Sequence, residues 1–154
     1  MLLAPEKLAY LAGIVDGEGC ISISKVHRSK TNSTPYDGIR LSARVNISNK
    51  SKLLMEELDS TAGHLANYRP YDFNNPLRKG QAYIWEIGKL QNIVEFLESI
   101  YPYLIVKKKH CEVLLQFCKS RIGKNHLSNP DRGYTKDEHV LYLQLCNLNN
   151  GGGL

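Results

Sequence analysis

A chain of 154 residues, 42% apolar and 23% charged, is one ordinary domain with a core of its own, not a disordered or fibrous segment. Twenty basic residues against 15 acidic ones give a net charge of +5, a modest excess that suits a polyanionic partner. Cys20, Cys111, Cys118 and Cys146 are spaced too widely for a zinc site, and no signal peptide or membrane-spanning run is evident, so the expected setting is intracellular and reducing, in cytoplasm or organelle.

In chain order, Pro5 suits the first turn of a helix that runs to about Gly19. Residues 20–30 read as a strand. Residues 31–38 are rich in turn formers. Residues 39–48 alternate fully, with Ile39, Leu41, Ala43, Val45 and Ile47 on one side and Arg40, Ser42, Arg44, Asn46 and Ser48 on the other. The two strands form a hairpin. Residues 51–62 are a helix stopped by Gly63. A second hairpin pairs residues 64–72 with 81–88, and Pro70 points to an edge strand. Helices follow over 90–101 and 107–122. Thr135 and Glu138 form a capping box for a last helix reaching about Leu148. One domain over 1–148 and a frayed tail over 149–154 are expected, with an α+β fold whose four-stranded antiparallel sheet carries helices on one face.

Residues 11–19, Leu-Ala-Gly-Ile-Val-Asp-Gly-Glu-Gly, carry the most functional information. Ala9, Gly13 and Gly17 share a stripe beside the apolar Leu8, Leu11, Ala12 and Val15. Each helical glycine costs ~1 kcal/mol relative to alanine. Two on one face point to close approach of another helix, and no second copy of the stretch exists in the chain. A symmetric homodimer supplies the partner, with Ala9, Ala12, Gly13, Asp16 and Gly17 as its expected interface. Asp16 and Glu18 sit at the negative end of the helix, where acids call for a compensating cation. An oxygen-liganded divalent metal is the natural candidate, the alternative being that both are simply solvated end-of-helix acids.

The stretch resembles the LAGLIDADG motif of homing endonucleases, matching Leu11, Ala12, Gly13, Asp16 and Gly17, with Glu18 at the closing acidic position. The order of elements extends the similarity to residues 5–120. The resemblance implies an αββαββαα fold with a sheet curved along DNA, a single-motif homodimer, and intron homing as the biological role. It also implies that each Glu18 holds Mg²⁺ (Ca²⁺ or Mn²⁺ as substitutes) with a backbone carbonyl near Gly17, and that Asn49 organises water. Lys107 aligns best, and Lys109 second, with the family's basic residue near the scissile phosphate. Local readings compete: Asn49 also suits capping of the 51–62 helix, and the three lysines 107–109 also suit phosphate contacts or a solvated face.

The polar comb of the first hairpin is the expected base-reading surface: Ser22, Ser24, Arg28 and Lys30 from one strand, Arg40, Ser42, Arg44, Asn46 and Ser48 from the other. Arginine pairs with guanine, asparagine with adenine, and a two-stranded ribbon fits the major groove. Tyr68, Gln81, Tyr83 and Trp85 are the corresponding expectations from the second hairpin; core packing is the competing role for Tyr83 and Trp85, and suits Trp85 equally well. The function expected is site-specific cleavage of double-stranded DNA at a roughly palindromic target. The alternative is a non-cleaving nucleic-acid binder on the same fold, an RNA maturase or a transcription regulator.

Overall fold

Proline at a first helical position pre-sets φ and gives up an amide that has no partner there, and the first helix, α1 (Pro5–Glu18), starts in that way. The computed structural model describes residues 3–28, 38–71, 80–124 and 133–151. After α1 come β1 (Gly19–Arg28), β2 (Gly38–Asn49), α2 (Lys52–Ala62), β3 (Asn67–Tyr71), β4 (Ala82–Ile87), α3 (Leu90–Ile100), α4 (Lys108–Arg121) and α5 (Lys136–Asn149). Short 3₁₀ turns at Gly63–Leu65 and Tyr101–Tyr103 follow α2 and α3.

The sheet is antiparallel in the order β1-β2-β4-β3. Pro70 therefore lies on an edge strand, where a missing amide costs no ladder bond. Ile21, Ile23, Leu41, Ala43, Val45, Ile47, Trp85 and Ile87 form one buried face. Against it pack Leu11, Ala12 and Val15 of α1, with Phe96, Leu97, Leu114, Phe117, Leu141 and Leu145 of α3 to α5. Each fully buried large side chain contributes about 1.5–3 kcal/mol. The far end of the first hairpin overhangs this layer: Lys25 and His27 are exposed although they share the parity of Ile21 and Ile23.

α1 passes into β1 with no loop. A Cβ built on Gly19 would stand 2.7 Å from the Val15 carbonyl oxygen, so only glycine lets the chain turn back over the last helical turn. Thr135 and Glu138 form the expected reciprocal capping box. The last helix runs one residue further than expected: Asn149 completes α5 and donates from its side-chain amide to the Ile21 carbonyl at 3.0 Å. No helix among the described residues is long and apolar enough to cross a membrane.

Candidate functional site

The C-terminal end of α1 has no basic residue in its last turn. Its cation arrives from 91 residues away. Lys107, the residue preceding α4, donates from Nζ to the carbonyls of Val15 (3.0 Å), which also accepts from the Gly19 amide, and Asp16 (2.6 Å), at the end where a helix runs short of donors. In return the Asp16 carboxylate accepts from the amides of Ile105 and Lys107, both at 2.8 Å, at the start of α4. A negative group thus meets the positive end of one helix and an ammonium meets the negative end of the other. Partial burial works against ionised Asp16, but the amides of Ile105, Lys107 and Val106 and the Lys107 charge outweigh it, holding the pKa below the ordinary aspartate value. The compensator of Asp16 is therefore the start of α4. Lys108 and Lys109 are surface groups, one over the Tyr101 ring and the other ion-paired with Glu112 at 3.3 Å.

Glu18 differs. It is exposed, and its carboxylate has no hydrogen-bond partner among the described residues. Ala9, Gly13 and Gly17 are exposed on the same helix. A Cβ on Gly13 or Gly17 would meet nothing within 4 Å, so no contact within the described chain accounts for either glycine. Ala12 departs from the expected interface: it is fully buried on the core-facing side of α1, where no second subunit can touch it. Asn49 closes β2 on the helix-side parity and accepts from the Ser51 amide at 2.8 Å, the local turn that precedes α2. Among the described residues no group of three His, Cys, Asp or Glu side chains could hold a metal. The exposed Glu18 carboxylate is a hard oxygen donor of the kind that suits a divalent cation such as Mg²⁺.

The outward comb of the first hairpin has the expected parity. Ser22 pairs across with Arg44, Ser24 with Ser42, and Val26 with Arg40. Asn46 and Ser48 continue it along β2, away from the helices. Arg28 closes β1 opposite Gly38; its side chain, and the whole of Lys30, lie outside the described residues. Arg44 is not a bare cation, for its Nη1 donates to Glu86 Oε1 at 2.8 Å.

The second hairpin overturns three expectations. Trp85 is fully buried, pairs across with the buried Ile47 and packs on Phe96 with ring centroids 5.4 Å apart. Tyr68 and Tyr83 share its face, lie 5.9 Å apart by centroid and pack against the core. None of the three belongs to the outward comb. Gln81 is exposed but precedes β4, with its amide on the Ala82 carbonyl. The outward residues are instead Asn67, Arg69, Ile84 and Glu86. Glu86 was the available signal: it is the one charged residue of β4, and a charge marks the outward face more reliably than an aromatic ring marks a reading surface.

A four-stranded sheet backed by helices, joined at one end to a glycine-faced helix that presents an exposed carboxylate, is the architecture of a known class. The LAGLIDADG endonuclease family model matches residues 11–120, and the chain belongs to that family. None of the curated proteins matches it. The homing endonuclease I-CvuI, solved with its target in the presence of Ca, superposes with a TM-score of 0.62 at 17% identity, over 97% of this chain and 97% of that one. The group I intron-encoded homing endonuclease I-CeuI, complexed with DNA, gives 0.70 at 13% identity, over 94% of this chain and 68% of that one. The meganuclease I-SmaMI, bound to uncleaveable DNA, gives 0.65 at 16% identity, over 90% of this chain but 44% of that one. At these identities the likeness establishes the fold.

Proposed function

We propose that this protein is a homing-type, site-specific double-strand DNA endonuclease acting as a Mg²⁺-dependent homodimer. The observation that carries the reading is Glu18: an exposed carboxylate at the end of a helix whose Gly13 and Gly17 have open space in place of an intrachain neighbour. A like helix against that stripe would bring two Glu18 carboxylates to one site. I-SmaMI supports the pairing, since this chain spans under half of it. The I-CvuI and I-CeuI complexes support DNA as the ligand, and the Ca in the former supports a divalent cation.

Glu18 and the Gly17 carbonyl would hold the metal, which when bound supplies an activated water and neutralises charge developing on the phosphate. The residues of the chain do the rest. Lys107 keeps an ammonium beside the end of α1 and holds the carbonyls of Val15 and Asp16, so the backbone that presents Glu18 is fixed. Asn49 fixes the turn into α2, and its role toward water remains part of this proposal. The outward comb of β1 and β2 would lie in the major groove, and two copies would read the two halves of a roughly palindromic site. Lys109 and the overhanging end of the first hairpin would meet backbone phosphates.

Incubating the protein with a plasmid library in Mg²⁺ or in EDTA tests the reading. Linearisation of a subset of plasmids in Mg²⁺ alone is expected. Tight RNA binding with no nicking of DNA would put a maturase in its place.

A further inference from the structure

We propose that Arg44 and Glu86 act as one specificity-determining unit that reads a single G·C base pair in each half-site. The inference rests on the DNA-binding reading of the open sheet face. Glu86 lies on that face between two outward neighbours, Asn46 of β2 and Asn67 of β3. Its carboxylate is 19% exposed and Arg44 is 43% exposed. An acid on a surface that approaches phosphates is unfavourable unless neutralised, and the 2.8 Å bond from Arg44 Nη1 to Oε1 supplies that neutralisation. The same bond holds the guanidinium in place before DNA arrives, which lowers the ordering cost of docking it on a base.

The chemistry of the pair selects its ligand. In the major groove guanine presents two acceptors, N7 and O6, and the cytosine paired with it presents the N4 donor. Arg44 supplies donors and Glu86, through Oε2, an acceptor beside them. An A·T pair sets thymine O4, an acceptor, against the carboxylate, so the acid rejects as well as selects. Arg44 without Glu86 would read guanine alone.

The test selects a duplex from a randomised library in Ca²⁺. It then measures binding of the wild-type protein, Glu86→Gln and Arg44→Ala to a panel of single base-pair substitutions of that duplex. Glu86→Gln keeps the side-chain shape and an acceptor for Arg44, and a thermal melt of each variant checks folding. Both variants should lose about tenfold discrimination at the same base pair, a G·C pair, with the other positions unchanged. Binding of non-specific duplex should rise in Glu86→Gln, because a negative charge has left the face. An unchanged profile for Glu86→Gln, a uniform loss across all positions, or effects of the two variants at different base pairs would overturn the assignment alone. Retention of no duplex by the folded wild-type protein would overturn the DNA-binding reading and the assignment with it.

Discussion

On its inner side α1 places Leu11, Ala12 and Val15 in the core and ties Asp16 to the start of α4, whereas on its outer side Ala9, Gly13, Gly17 and Glu18 face solvent. The two acids are two residues apart at the same negative helix end. One is answered within the chain by backbone amides and by a lysine on the neighbouring carbonyls. The other is not. The contrast separates what the motif does for folding from what the proposed pairing would use: inner-side changes should act on stability, and outer-side changes on assembly and chemistry.

The largest effect should come from the outer side. Glu18→Gln should leave the thermal melt unchanged and lower cleavage about a thousandfold or more, since a metal site supplies several kcal/mol at roughly tenfold per 1.4 kcal/mol. Unimpaired cleavage by that variant would remove the metal assignment. On the core face, Trp85→Ala should cost ~3–5 kcal/mol in chemical denaturation and alter no base preference of the protein that remains folded. On the inner side, Asp16→Ala should cost ~1–3 kcal/mol by stranding the amides of Ile105 and Lys107. Because the folded pKa of Asp16 is depressed, its contribution is complete above the ordinary aspartate pKa of ~3.9 and is lost as pH falls through the folded value. An Asp16→Asn protein should therefore show a weaker acid dependence of stability below about pH 4. The smallest effect on the fold belongs to Gly13→Leu. Nothing in the described chain obstructs the new side chain, and helix propensity favours it by ~0.5–1 kcal/mol. Sedimentation should nevertheless show a monomer, and a persisting dimer would move the interface off this stripe.

The two hairpins show how far sequence patterns reach. In β2 ten residues alternate without interruption, so the outward identity of Arg40, Ser42, Arg44, Asn46 and Ser48 could be read directly, and the structure agrees. In β4 Tyr83, Ile84, Trp85 and Ile87 blur the alternation, and aromatic rings suit a core as well as a base stack. Only pairing with β2 decides it, by setting Trp85 opposite Ile47. A one-residue change of parity exchanges every side chain between faces, which is why Tyr68, Tyr83 and Trp85 were misplaced together. Ala12 went wrong for a related reason: a small residue permits close helix approach but does not say whether α3, the sheet or a second subunit makes it.

Local rules determined much of this protein from the sequence alone: the helix opening at Pro5, the capping box of Thr135 and Glu138, the edge position of Pro70 and the exposed acid at Glu18. Each depends on residues within one turn or one strand, where backbone geometry leaves few alternatives. Tertiary structure decided the partners of Asp16 and Lys107, the outward face of the second hairpin and the pairing of Arg44 with Glu86. Those bonds join residues 42 to 92 positions apart, and local periodicity carries no information about which distant group a charge will meet once the core has set the elements against one another.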